Sequence, residues 1–303
     1  MFGGPIFAWV RILRVSLYFP VIQIRASDGF AIAQSTDDEN QISAFKMRQN
    51  QILAALPDAD MKQLVPYLEP ILLPVGMTLG RSGENAANVY FPGSGVAGFL
   101  QFALDGEITE LALTGREGLV GIESFLGGKS MPMDTVVLCV GHGYRIKATR
   151  LIDAFYNSDS LRRILLRYGQ SFLTQIEQTA VCNRHHAIEQ RLCRFLLHCL
   201  DRLSSSELVL TQDLIANMLG VRREGVTDAA RKLRHAGLIK YHRGHINVID
   251  RMGLESRTCE CYTVVKKEYD RLAPQPVDGK SAKIHSAKFA VSSAFHSGGM
   301  RSA

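Results

Sequence analysis

The 303-residue chain carries 35 Lys and Arg against 29 Asp and Glu, a formal charge of +6 and a pI near 9.0. At 46% hydrophobic and 21% charged residues it has a globular composition, and its length fits roughly two domains. Its 26 glycines lack a three-residue period, its apolar content is too high for a wholly disordered chain, and six cysteines are too few for a disulfide scaffold. The charge is uneven: residues 47–160 hold eight basic and twelve acidic side chains, whereas 207–251 hold eight and five. An acidic first half before a basic second half suggests a sensor or scaffold joined to a polyanion-binding part.

Residues 2–24 are apolar, but Arg11 and Arg14 interrupt them and Pro20 breaks any helix. The longest charge-free piece, 15–24, is shorter than the ~20 residues of a membrane span. Residues 1–46 are therefore expected to be a disordered, dispensable leader, with Met47 as the functional start. The stretch from Pro274 onward, rich in Gly, Ser and Lys, reads as a disordered basic tail.

From Ile52 to Ile71, apolar residues recur at helical spacing, punctuated by Pro57 and Pro66. Short apolar runs then alternate with glycine turns, which predicts strands at 88–91, 96–102, 109–113, 135–140 and 144–146. An Asp-Gly hairpin signal lies at 104–107. Strands at such regular intervals indicate a compact β-barrel or sandwich. Next, Leu161, Leu165, Tyr168, Phe172, Ile176 and Thr179 fall at steps of three or four, a near-heptad seam capped by Ser158 or Asp159. That seam can pack on the barrel or pair with a twin helix. A second helix follows at 187–203, with Ile188, Leu192, Phe195, Leu196 and Cys199 inward.

The six cysteines form no CxxC pair, and Cys182, Cys193 and Cys199 read as small core hydrophobes. Cys259 and Cys261 are too close in sequence for a comfortable disulfide, and one such pair rarely makes a metal site alone. His185 and His186 point about 100° apart on a helix and do not chelate one ion together. No metal and no cofactor are therefore expected, and the free thiols suit a reducing cytoplasm. A metal- or haem-binding protein using the His/Cys cluster at 182–199 stays as an alternative of another class. No nucleophile elbow, P-loop, HExxH or paired-Gly fingerprint marks an enzyme.

Residues 210–221 read as a helix with Thr211 as N-cap, ending at Gly220. Residues 222–235 form a second helix after a tight turn, so the pair is a helix-turn-helix. Ala216 lets the helices cross closely, Gly220 supplies the left-handed turn, and Ile215, Leu219, Val221 and Val226 fill the small core. Arg222, Arg223, Arg231, Lys232 and Arg234 lie on or beside the second helix. Residues 237–249 alternate around an Arg243-Gly244 turn, a β-hairpin wing.

Taken in order, Leu73-Pro74-Val75-Gly76, Gly83-Glu84, Val89-Tyr90-Phe91-Pro92, Gly95-Val96 and Gly115-Arg116-Glu117-Gly118 resemble the β-roll of the Crp/Fnr superfamily. Residues 181–253 resemble its winged helix-turn-helix. The resemblance implies an α+β fold divided into a cyclic-nucleotide-binding-like β-roll (47–156), a dimerisation helix (157–180), a DNA-binding domain (181–253) and a C-terminal helix with tail (254–303). It implies a homodimeric transcription regulator on palindromic double-stranded DNA, with RNA polymerase as a further partner. It makes 182–186 a junction between dimer helix and DNA-binding domain, and Leu161, Leu165, Tyr168, Phe172 and Ile176 the dimer seam. The family's iron–sulfur regulators carry clustered N-terminal cysteines, whereas residues 1–138 hold none.

In the family an Arg-Glu pair reads bases, with a further Arg four residues on; here Arg223-Glu224 is followed by Asp228. Arg223 can donate twice to guanine O6 and N7, Glu224 can accept from cytosine N4, and Asp228 alters the preferred operator. Thr211, Gln212, Arg222, Arg243 and His245 are placed for phosphates. The cyclic-nucleotide readers carry a phosphate cassette of Gly-Glu and a later Arg-Ser/Thr-Ala. Here the stretch is Gly121-Ile122-Glu123, with no Arg between Arg116 and Arg145, so a cyclic phosphate would lack its guanidinium. The expected effector is unknown and not cyclic AMP; a cyclic-nucleotide-responsive regulator is the alternative.

Overall fold

The structure, a computed structural model, describes residues 47–103, 107–128, 130–203 and 205–273. The leader, the tail and most of the 104–107 turn lie outside them.

The described chain begins with Met47 buried and Asn50 fully enclosed. Asn50 caps helix α1 (Gln51–Ala54) by accepting from the Ile52 and Leu53 N–H groups. Its amide donates to the Pro92 and Gly118 carbonyls at 2.9 and 2.8 Å, so one side chain starts a helix and fastens it to the barrel. Helix α2 (Asp58–Leu64) follows with two acidic residues in its first turn.

Seven strands then build two antiparallel sheets. Strands β1 (Glu69–Leu73), β3 (Asn88–Pro92) and β7 (Gly141–Lys147) form one, in the order β1-β7-β3. Strands β2 (Thr78–Gly80), β4 (Val96–Phe102), β5 (Ile108–Thr114) and β6 (Asp134–Cys139) form the other, in the order β2-β6-β4-β5. All five strands expected from the glycine-punctuated pattern are present within two or three residues. The short helix α3 (Glu123–Leu126) interrupts them, and α4 (Ala148–Asn157) leads out.

Helix α5 (Asp159–His185) is capped by Ser158, whose hydroxyl accepts from Leu161 N–H at 3.0 Å. Its apolar stripe does not wait for a twin. Leu161, Leu165, Tyr168 and Phe172 are buried in the core of their own β-roll and Ile176 packs against it, which corrects their assignment as the dimer seam. The Phe172 ring meets Phe99 edge-on at 4.7 Å, and the Tyr168 hydroxyl donates to the Leu119 carbonyl. A side chain at Gly118 would collide with the Tyr168 ring at 2.2 Å, so this glycine is needed for room. The solvent side carries a second stripe about 140° away, with Leu166, Leu173 and Val181 exposed.

Helix α6 (Ile188–Arg202) is buried on nearly every side. It carries Arg194, Arg191 and Arg202 inward along with its leucines, and two acidic groups of the roll answer them. Arg194 lies 4.0 Å from Glu110, both about 1% exposed, and Arg202 Nε lies 2.7 Å from Glu117. Arg202 also donates to the Leu113 carbonyl and to Gln175 Oε1 at 3.1 and 3.0 Å. Burial works against the Arg202 charge, and Glu117, Tyr269, Asp201 and Cys199 together more than offset it, so the guanidinium stays protonated.

The C-terminal part contains β8 (Glu207–Val209), α7 (Gln212–Leu219), α8 (Arg223–His235), β9 (Ile239–His242), β10 (His245–Val248), α9 (Arg251–Arg257) and α10 (Glu260–Leu272). Its three strands pair antiparallel in the order β8-β10-β9, adding one strand to the expected hairpin. Helix α7 packs on β5, and α10 runs back along α5.

Candidate nucleic-acid interface

The helix-turn-helix has the expected local chemistry. Thr211 accepts from Leu214 N–H at 3.2 Å and so caps α7. At the other end Gly220 adopts φ 58°, ψ 46°, and Val221 N–H returns to the Ala216 carbonyl at 3.0 Å. Arg191 donates to the Leu219 carbonyl and closes the same helix end from α6. Ile215, Ala216, Leu219 and Val226 are buried, and Val221 is partly buried against them, so these five residues form the core between the helices.

That core presents the polar face of α8 to solvent. Val226, Ala229, Ala230 and Leu233 point inward, and Arg222, Arg223, Glu224, Asp228, Arg231, Lys232 and Arg234 are exposed. Two side chains expected to read bases are engaged within the protein. Arg223 Nε lies 3.4 Å from Asp213, and Asp228 lies 2.7 Å from Arg231 one turn on. Both pairs are more than half exposed, so opening either costs at most about 1 kcal/mol. The Thr227 hydroxyl sits 2.8 Å from Gln212 Oε1, which links the starts of α7 and α8 through the Gln212 oxygen and leaves its NH2 uninvolved in that contact. At the wing, Arg243 takes φ 46° before Gly244, and His245 Nδ1 lies 2.8 Å from Glu207 on β8. Arg222, Arg243 and His245 are exposed, as phosphate contacts require.

A family model described as a Crp-like helix-turn-helix domain matches residues 190–257. The chain has a Crp-like domain on the Crp/Fnr fold. FixK2 from Bradyrhizobium japonicum is 19% identical, with a TM-score of 0.56 over 63% of this chain and 98% of that one. The c-di-GMP-responsive global regulator CLP from Xanthomonas campestris is 19% identical, with a TM-score of 0.51 over 63% and 99%. A CRP-family transcriptional regulator from Thermus thermophilus is also 19% identical, with a TM-score of 0.50 over 62% and 95%. No curated protein matches the chain by sequence. The Crp-like domain thus starts inside α6 and closes at the end of α9. No described helix is long and apolar enough to cross a membrane.

In the roll, Gly121 has φ 103°, and Ile122 and Glu123 are both buried at the start of α3. Burial pushes the Glu123 carboxyl up. Met131, near the expected end of the cassette, is 2% exposed in the roll core.

Sequence reasoning missed one convergence beside the Crp-like domain. Cys182, His186, Cys259 and Cys261 offer ligand atoms that all lie within 4.8 Å of one another. The expectation of no metal treated the adjacent pair His185 and His186, and the pair Cys259 and Cys261, each in isolation. Cys182 lies in the last turn of α5 and His186 is its C-cap residue, a four-residue spacing that brings together only half of the set.

Proposed function

We propose that the chain is a DNA-binding transcription regulator that binds a palindromic operator as a homodimer and does not respond to cyclic AMP. The observation that carries this reading is the start of α8. It presents Arg222, Arg223 and Glu224 to solvent from a helix seated by Val226, Ala229 and Leu233. Arg223 can donate in pairs to a guanine edge and Glu224 can accept from a cytosine amine. Asp228 cannot take the place of an Arg and favours a base with an amino group. Phosphates are met by Arg222, Arg243, His245 and the NH2 of Gln212, with Thr211 at the positive end of α7.

Dimerisation is supported by the exposed stripe of α5. Leu166, Leu173 and Ala180 recur every seven residues with Val181 beside them, the repeat of a coiled-coil face. Two copies joined there would set recognition helices about one DNA turn, ~34 Å, apart. RNA polymerase is the further partner this reading implies, and the free cysteines suit the cytoplasm. The lack of an arginine in the cassette, with Tyr168, Phe172 and Met131 filling the roll, supports an effector other than cyclic AMP, or none.

Genome-wide mapping of binding sites with the untagged protein tests the reading, followed by anisotropy titration on the site found. Arg223→Ala should cost about 1–3 kcal/mol on that site and little on random DNA. Equal losses on both would make Arg223 a phosphate contact only, and absence of a shared palindrome among mapped sites would overturn the reading. Cyclic AMP should leave both thermal stability and operator affinity unchanged.

A further inference from the structure

Three of the six cysteines behave as ordinary core residues. Cys139, Cys193 and Cys199 are buried within the large apolar cluster around α6. The other three are segregated. Cys182, Cys259 and Cys261 are 0%, 3% and 0% exposed and form a buried cluster of their own that no leucine, valine or phenylalanine among the described residues joins. Apolar packing does not explain three thiols gathered in one place.

Their geometry does. Cys182 Sγ lies 3.5 Å from Cys259 Sγ, and Cys261 Sγ lies 3.6 Å from His186 Nδ1. With zinc–sulfur bonds near 2.3 Å and zinc–nitrogen bonds of about 2.0–2.1 Å, the edges of a tetrahedron around one ion are about 3.5–3.8 Å. The sulfurs are too far apart for a disulfide, which needs about 2.05 Å. A set this tight has room for one ion and not for an iron–sulfur cluster with its bridging sulfides.

The surroundings suit the same ion. His186 Nε2 lies 3.2 Å from Glu260 Oε1, which would hold a proton on Nε2 and leave the Nδ1 lone pair facing the thiols. Cys259 is the N-cap residue of α10 and Cys261 sits in its first turn, where the helix dipole favours thiolate charge. Arg194 supplies positive charge near Cys182.

We propose that Cys182, His186, Cys259 and Cys261 form a tetrahedral site for one zinc ion that fastens both ends of the Crp-like domain to the end of α5. Cys182 and His186 immediately precede α6, and Cys259 and Cys261 immediately follow α9. The matched domain, 190–257, is therefore enclosed between the two ligand pairs. Binding releases thiol protons to solvent, closes a loop of about 77 residues and removes that freedom from the unfolded chain.

The test is elemental analysis of the untagged full chain, purified under reducing conditions without chelator. The expected result is one zinc per chain, lowered about tenfold or more in Cys259→Ser and in Cys261→Ser. It should be unchanged in His185→Ala, which removes the exposed neighbouring histidine. Cobalt(II) added to the metal-free wild-type chain should give the intense visible bands and thiolate charge-transfer absorption of a tetrahedral site, a readout that needs no variant to fold. Less than about a tenth of an equivalent, both as purified and after zinc dialysis with reductant, would overturn the proposal. So would zinc that stays in both cysteine variants, an octahedral cobalt spectrum, or a Cys182–Cys259 disulfide in its place.

Discussion

Replacing Arg202 by Met tests how the DNA-binding part is held to the β-roll. The side chain is 4% exposed, and methionine keeps most of its length while removing the charge and every donor. Glu117, 14% exposed, then loses the guanidinium at 2.7 Å, and Gln175 Oε1 loses its donor at 3.0 Å. The Leu113 carbonyl keeps a donor, since Gln175 Nε2 also reaches it at 3.1 Å. Two charge-assisted contacts at about 1.5–3 kcal/mol each give a loss of about 3–6 kcal/mol. That agrees with the roughly 3–5 kcal/mol for breaking a buried pair from one side. Urea unfolding followed by circular dichroism measures it. Adding Glu117→Gln to Arg202→Met should restore at least about 1.5 kcal/mol, because the stranded carboxylate is the larger part of the loss. A single-variant loss under about 1 kcal/mol, or no coupling in the cycle, would refute the assignment of this pair as a structural tie.

Three other outcomes follow from the geometry. Gly220→Val should cost about 1–2 kcal/mol or more in thermal unfolding, since φ is 58° and the new Cβ would sit 3.1 Å from Thr109 Oγ1; a neutral effect would show that the turn relaxes freely. Sedimentation velocity should give a dimer for the wild type, as proposed, and a monomer of unchanged helix content for Leu166→Glu with Leu173→Glu; a dimer that persists in the variant would place the interface elsewhere. Burial, reinforced by Arg202 and Arg194, holds His198 well below the usual imidazole range. Its folded form therefore stays neutral where the unfolded chain takes up a proton. Stability should fall by up to about 1.4 kcal/mol per pH unit as pH drops below about 6.5, and be unaffected by this group above it. Glu110 and Glu123, pushed up by burial, act with the opposite sign. The difference in pH slope between wild type and His198→Gln isolates the histidine, and identical slopes would refute the assignment.

The elements legible in the sequence were those whose signals are local. The Asn88–Pro92 and Val96–Phe102 strands, the Thr211 cap and the Gly220 turn each follow from a few neighbouring residues, and each is where the pattern placed it. The stripe from Leu161 to Ile176 was legible as a stripe but not as to partner. Heptad spacing looks the same whether a helix faces its own roll or a twin, and here the roll takes it. The weaker Leu166, Leu173 and Ala180 repeat was present in the sequence and outranked by the stronger one. Arg191, Arg194 and Arg202 were invisible as interior residues, because an arginine on a helix ordinarily faces water and only the distant Glu110 and Glu117 make its burial tolerable. The four-ligand cluster joins positions 77 residues apart, a separation that no spacing rule within one segment detects.

Glu110 and Glu117 meet Arg194 and Arg202 at two places on one rod. Those arginines are eight residues apart, about 12 Å along the axis of α6. One fastening would leave the rod free to tilt about a point; two leave only rotation about the line that joins them. The DNA-reading part cannot tilt end over end on α6 while both hold, so a tilt must either carry the segment 110–117 with it or release a buried charge. A movement gated in that way passes between distinct positions and not through a continuum, which is the mechanical behaviour required of a switch.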